Sequence, residues 1–126
     1  MDDVRRLGLK LPETSADDDG FGVKVGDKVK GVAWVWKERI EPKKPRVPNY
    51  DVVAVRTVDL EEKESLIAAD PDVFFTEPHY NNFPAVLVRL PVIGLDELEE
   101  LLIDGWRCQA PKALVKQYDA GLDKSV

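Results

Sequence analysis

The sequence is poor in the residues from which disulfides, metal sites and catalytic pairs are built. Its 126 residues include one cysteine, Cys108, and one histidine, His79. A single cysteine cannot form an internal disulfide, which favours a reducing compartment such as the cytoplasm. One histidine with one distant cysteine gives no zinc ligand set, and there is no glycine-rich phosphate loop. We therefore expect no metal and no cofactor.

Long apolar runs are also absent. No stretch approaches the roughly 18 apolar residues that a membrane-spanning helix requires. The first residues, Met1 to Arg6, include two acids and have no apolar segment behind the arginines, so they do not resemble a secretory signal. We expect a cytoplasmic protein that does not enter a membrane.

Positive charge is in short supply, with 18 lysines and arginines against 24 acidic residues and a net charge of −6. An acidic chain of this kind is not expected to attract nucleic acid over its whole surface. The bases are concentrated in residues 24–30 and 37–46, whereas the acids lie mainly in 13–19, 59–64 and 96–100. A local positive patch is therefore compatible with the overall charge.

Length and composition predict one domain over residues 1–126, because 126 residues with 44% hydrophobic content can bury a single core. Periodicity and turn residues predict helices over 3–11, 59–70, 96–106 and 111–121, and strands over 21–25, 28–36, 51–58 and 85–92. The tail 122–126 is expected to fray, and Phe74, Phe75, Tyr80 and Phe83 are expected to anchor the core. This order predicts an α+β fold, with helices on one face of a largely antiparallel sheet.

The first two predicted strands form a hairpin whose register decides where the tryptophans point. A two-residue turn puts Trp34 and Trp36 on the same face as Phe21. A three-residue turn puts both tryptophans on the opposite face, together with Lys24 and Lys30. We favour the three-residue turn, because it keeps the lysines out of the core.

The segment 37–50 contains five basic residues, two acidic residues and three prolines. The prolines disfavour regular structure and predict an extended, stiff loop. At about 14 residues it exceeds the usual connection of about four to six, and such long loops are functional or disordered. Contact with an anion through Lys43, Lys44 and Arg46 is one interpretation, and a solvated hairpin extension is the other.

Alternation along the predicted strands assigns basic and aromatic side chains to the sheet face away from the helices. Proteins that bind nucleic acid often combine bases for the phosphates with flat rings for the nucleobases. We predict that this face and the 37–50 loop bind DNA or another polyanion; the residues are Lys24, Lys30, Trp34, Trp36, Lys43, Lys44, Arg46, Arg56 and Arg89. Such binding should weaken steeply with salt.

Two other functions stay open. In the first, Trp34 and Trp36 form an apolar patch for a protein partner or a homodimer, although a monomer is the expected state. In the second, weaker one, His79 and Tyr80 line a small-molecule pocket. Enzymatic activity is not expected and no catalytic residue is assigned, because His79 has no evident orienting partner beyond Glu77.

Several segments also carry a family resemblance, in the same order along nearly the whole chain. They are Val4–Pro12, Lys24–Lys28, Ala68–Tyr80, Val86–Leu90, Asp96–Leu98 with Trp106, and Ala110–Lys112. Together they resemble the MmcQ/YjbR-like family. The resemblance implies a CyaY-like, double-wing α/β fold and the label of a DNA-binding protein, for a group whose members are mostly of unknown function. It supplies no catalytic motif.

Overall fold

The computed structural model describes residues 1–39 and 41–124. Its helices are α1 (Asp2–Leu9), α2 (Leu60–Ala69), α3 (Leu95–Gln109) and α4 (Lys112–Lys124). Its strands are β1 (Thr14–Asp17), β2 (Gly20–Val25), β3 (Lys28–Glu38), β4 (Val47–Arg56), β5 (Phe74–Phe75) and β6 (Ala85–Arg89). A 3-10 turn spans Pro78–Tyr80.

The strands form one antiparallel sheet in the order β1-β2-β3-β4-β6-β5. The main core lies between one face of this sheet and the helices. Val53 and Val55 of β4, and Val86 and Val88 of β6, are fully buried there in one cluster with Trp106 of α3. The predicted α+β class, with helices on one sheet face, is confirmed.

Trp106 joins three parts of the core. Its indole Nε1 donates a hydrogen bond of 3.1 Å to the carbonyl oxygen of Pro12, which follows α1. Its ring meets Tyr118 of α4 edge to face, with centroids 5.1 Å apart. A buried indole with its N–H paired contributes apolar area without leaving a donor unsatisfied.

α2 begins and ends as the sequence predicts. The side chain of Asp59 accepts a hydrogen bond of 2.8 Å from the backbone N–H of Glu62. The Glu62 carboxylate accepts one of 2.8 Å from the N–H of Val58. The first bond satisfies a donor that the first helical turn leaves without a partner, and the second fixes the residue that precedes the N-cap. The helix ends at Ala69, ahead of Pro71.

The hairpin of β2 and β3 has a two-residue turn, so the favoured three-residue turn is wrong. Lys30 pairs with the buried core residue Val23 and therefore lies on the helix-side face, at the exposed end of the hairpin. An extra residue in β3, Val32, then forms a bulge. Because of this bulge, the residues after Val32 change sides. Trp34 therefore lies on the face away from the helices, as predicted, whereas Lys30 does not.

Strand structure extends into the segment that was predicted to be a loop. β3 continues to Glu38 and β4 begins at Val47, which leaves 39–46 as the connection. Pro48 lies within β4 at a level that β6 does not reach, so it has a neighbouring strand on one side only. Proline is tolerated at such a position, and the expectation of an irregular segment over 37–50 is wrong at both its ends.

Two further features differ from the sequence prediction. The short edge strands β1 and β5 were not predicted. α4 continues past its predicted end at Gly121 to Lys124, so the tail expected to fray is helical over its first residues; Ser125 and Val126 lie outside the described residues. Within the described ranges, no helix is long and apolar enough to cross a membrane.

Candidate functional site

The sheet face opposite the helices carries a second apolar cluster. Its buried floor consists of Val52, Ala54 and Leu87, which alternate along β4 and β6 with residues of the main core. Partly buried aromatic side chains pack on this floor; they are Trp34, Trp36, Phe75 and Tyr80. Among the residues that the structure describes, none from α1 to α4 belongs to the cluster. We call these four rings, together with Phe83, the aromatic face.

The rings of the aromatic face contact one another edge to face. The centroid of Trp34 lies 6.2 Å from that of Phe83, and Trp34 Nε1 donates a hydrogen bond of 3.2 Å to Tyr80 Oη. The centroid of Trp36 lies 5.7 Å from that of Phe75. The predicted placement of both tryptophans on the face away from the helices is confirmed.

The phenylalanines of the central segment divide between the two faces. Phe74 lies in the main core as predicted, whereas Phe75 packs in the cluster of the aromatic face. Phe83 is 38% exposed, so the prediction that it anchors the core is wrong. Adjacent strand residues point to opposite sides of a sheet, and this rule applied to Phe74 and Phe75 would have separated them.

Two arginines lie over rings of the aromatic face, where the strand alternation predicts them. The guanidinium carbon of Arg56 lies 5.1 Å from the centroid of Phe83. The corresponding distance from Arg89 to Phe75 is 4.0 Å. Arg89 also contacts two carbonyl oxygens of the connection between α2 and β5, at 3.3 and 3.4 Å. Both positive charges are therefore held against aromatic surface by cation–π contacts.

The loop that carries Tyr80 and Phe83 is fixed from the helix side by Lys63 of α2. Its ammonium group donates hydrogen bonds to the carbonyl oxygens of both residues, the one to Phe83 being 2.9 Å long. Burial lowers the pKa of Lys63, and the charge of Glu77 partly opposes that shift. No role was predicted for Lys63 from the sequence. It lies three residues after Leu60 and three before Leu66, at a position of α2 where the helical spacing calls for an apolar residue.

The connection between β3 and β4 reaches the same loop. We call this connection, together with the last two residues of β3, the basic tip (residues 37–46). Arg46 Nη2 lies 3.3 Å from His79 Nδ1, and Tyr80 follows His79 directly in the chain. This contact joins the basic tip to the aromatic face. His79 is exposed, and its ring contacts an arginine rather than a carboxylate.

The lysines predicted for the site are not all brought together. Lys24 lies on the same side of β2 as the aromatic face, whereas Lys30 points to the other side. Lys43 and Lys44 are exposed in the basic tip, and Lys44 Nζ lies 3.4 Å from a carboxylate oxygen of Glu41. Lys30 is therefore removed from the candidate site, because the two-residue turn places it on the helix-side face, and only the residues after the bulge, such as Trp34, return to the aromatic face.

Comparison with known proteins gives a fold and a family but no activity. No family model matches the chain. A crystal structure of the Deinococcus radiodurans protein DR2400, described as a DUF419 domain, superposes with a TM-score of 0.60. That match is 24% identical and covers 92% of this chain and 85% of the other, which supports the fold alone.

Relatives that are closer in sequence come from mycobacteria. Uncharacterized proteins of Mycobacterium bovis (Mb2600) and Mycobacterium tuberculosis (Rv2570) are each 40% identical to this chain over 123 residues. In both cases the match covers 93% of this chain and 93% of the relative. The chain therefore belongs to the same family as these mycobacterial proteins.

Proposed function

We propose that this chain is a non-enzymatic, cytoplasmic, MmcQ/YjbR-like protein that binds DNA or another polyanion. The binding surface would be the aromatic face together with the basic tip. The observation that carries the proposal is the contact of 3.3 Å between Arg46 and His79. It makes one continuous surface from two features that otherwise belong to separate parts of the chain.

The chemistry of this surface suits a nucleic acid in single-stranded form. Half-buried rings such as Trp34 and Trp36 offer faces on which bases stack, and any base has such a face. Arg56 and Arg89 lie over neighbouring rings, so their charges are held in place before a ligand arrives. Fixed cations beside stacking rings are typical of grooves that bind single strands without reading their sequence.

The net charge of −6 does not oppose this proposal, because the charge is unevenly distributed. The basic tip carries five of the 18 lysines and arginines within ten residues and has two acids. At physiological salt, charges further apart than about 8 Å are largely screened. A bound phosphate would therefore respond mainly to the tip and the two arginines rather than to the acidic helices.

The proposal is tested by reversing the charge of the tip. A K43E/K44E/R46E variant should lose most of its affinity for a fluorescently labelled single-stranded DNA. Since each phosphate contact adds about 0.7 to the salt slope for single strands, loss of three contacts should reduce that slope by about 2. The matched control is K10E/K112E/K116E, which makes the same charge change just after α1 and on α4, at the other side of the sheet.

The outcomes separate the candidate functions. Equal losses in both triple variants would show that only total charge matters, and binding insensitive to salt would overturn the proposal. Retained binding of a protein partner by the tip variant, combined with its loss in Trp36→Ala, would instead favour the protein-interaction function. A duplex of the same length, tested in parallel, shows whether single strands are preferred.

A further inference from the structure

A groove of about 450 Å³ lies beside Trp34, on the same side of the sheet as the aromatic face. It is lined by β1, β2 and β3, and its floor consists of Gly20, Gly22 and Gly31. Gly20 pairs with Trp34, and Gly22 pairs with Gly31, so all three glycines lie on the groove side of the sheet. Of the three, only Gly31 leaves space that a side chain could occupy, and this space lies beside the Trp34 ring.

The glycines of the floor are not all required by the backbone. Gly20 has φ +153°, and a Cβ there would lie 2.1 Å from the carbonyl oxygen of Ala33, so this position needs glycine. A Cβ at Gly22 would likewise lie 2.6 Å from the carbonyl oxygen of Lys30. A Cβ at Gly31 would meet only the Trp34 ring, at 3.3 and 3.4 Å, so a side chain there requires a shift of that ring by a few tenths of an ångström. Glycine weakens a strand, and inside one it often marks a bulge or the close approach of another backbone or of a ligand. The backbone of β3 accounts for Gly20 and Gly22, which leaves Gly31 as the position open to a ligand.

The walls of the groove combine a ring with hydrogen-bond acceptors. Trp34 and Val29, whose side chain is 57% exposed, supply apolar surface. Ser15, Asp17 and Asp19 form the polar rim. Asp17 Oδ1 is held in place by the backbone N–H groups of Asp19 and Gly20, at 2.8 and 3.1 Å. Carboxylates at the rim repel a phosphate group but accept hydrogen bonds from N–H groups.

We propose that this groove is a subsite for one nucleobase of a single-stranded nucleic acid, a proposal that rests on the proposed function. A flat backbone floor beside an indole fits a planar heteroaromatic ring. The fixed Asp17 carboxylate accepts hydrogen bonds from the exocyclic amino groups of adenine, cytosine and guanine. Thymine has no such group, and its one ring N–H lies between two carbonyl oxygens that the carboxylate repels. Exposed Lys24, on the same side of β2, is available to a neighbouring phosphate.

The test compares binding of equal-length oligo-dA, oligo-dC and oligo-dT by the full chain. We expect oligo-dA and oligo-dC to bind at least about fivefold more tightly than oligo-dT, the lower limit for discrimination by one base contact. Gly31→Val fills the groove with a residue that favours strands and should abolish this preference. Its salt slope should stay at the wild-type value, since the phosphate contacts remain. Gly94→Ala is the control, because a Cβ added at that glycine would meet nothing within 4 Å.

A second variant tests the preference without filling the groove. Asp17→Asn keeps an oxygen to accept the turn hydrogen bonds but adds a donor at the rim. It should shift the ratio of oligo-dC to oligo-dT affinity towards oligo-dT. Equal affinity of the wild type for all three oligomers, or wild-type behaviour of Gly31→Val, would overturn the groove assignment. If the wild type binds the oligomers in a salt-dependent way and Gly31→Val keeps the wild-type base preference, only the groove assignment is overturned. If no oligomer binds in a salt-dependent way, the proposed function is overturned as well.

Discussion

The ammonium nitrogen of Lys63 lies 2.9 Å from the carbonyl oxygen of Phe83, and this hydrogen bond connects the helix side of the protein to the aromatic face. Lys63 is 2% exposed, and lysine is rarely so buried unless it is paired. A second hydrogen bond runs from Lys63 to the carbonyl oxygen of Tyr80. The two bonds thus fix both ends of the short segment that carries the Tyr80 and Phe83 rings. The position of those rings therefore depends on a helix that contributes no residue to the face itself.

Replacing Lys63 by methionine should destabilise the fold. Methionine keeps most of the apolar stem but provides no donor, so two loop carbonyls lose their partners. Removing the buried charge recovers part of this loss, and we expect a net decrease of about 1–3 kcal/mol in the free energy of unfolding. Urea denaturation measures it. Lys116→Met, at an exposed position of α4, should change the stability by less than about 0.5 kcal/mol.

The same lysine should make stability depend on alkaline pH. Burial lowers its pKa in the folded state below the ordinary value of 10.5. Between the folded pKa and 10.5 the unfolded chain binds more protons, so the Lys63 contribution to stability increases as the pH rises through that window. The difference in unfolding free energy between wild type and Lys63→Met should therefore grow from neutral pH towards 10.5. A difference that shrinks over this range would contradict the sign of the shift.

Strand alternation was sufficient to predict the two faces of β4 and β6. Val53 and Val55 lie in the main core, and Val52 and Ala54 under the aromatic face, because a regular strand has a period of two. The register of the β2–β3 hairpin was not predictable in the same way. A bulge adds one residue, and the apolar Val32 offers no signal that distinguishes a bulged residue from a paired one.

The candidate site was predictable only in part, because it depends on contacts between distant segments. Arg56 and Arg89 lie on regular strands and were placed correctly. The link between Arg46 and His79 joins residues 33 positions apart, and no local pattern indicates it. Lys63 did leave a signal, since a charged residue at an apolar position of a helix must either reach solvent or find buried partners.

Cys108 should react slowly with alkylating reagents. Burial raises the pKa of its thiol above 9.0, the charge of Glu62 adds to the shift, and Arg56 opposes it. The thiolate is the nucleophile, so at neutral pH the folded protein should be labelled by iodoacetamide more slowly than the same chain unfolded in urea. Since Cys108 is the only cysteine, the mass increase reports one site, and Cys108→Ser should remain unlabelled. Equal rates in the folded and unfolded protein would exclude the raised pKa.

Arg107 and Asp119 hold α3 and α4 together by an ion pair, with their closest side-chain atoms 2.7 Å apart. The hydrogen bond from Arg107 lowers the pKa of Asp119 below 3.8. A carboxyl group with a depressed folded pKa contributes stability above its unfolded pKa and loses it as the pH falls through the folded value. Asp119→Asn should therefore be less stable than wild type near neutral pH, and the gap should close below pH 3.8. Because both side chains are partly exposed, added salt should also narrow this difference in stability.

Urea unfolding of wild type and Asp119→Asn at several pH values measures the difference. The control is Asp27→Asn, in the exposed β2–β3 turn. A difference that persists in acid would show that Asp119 acts through packing rather than charge.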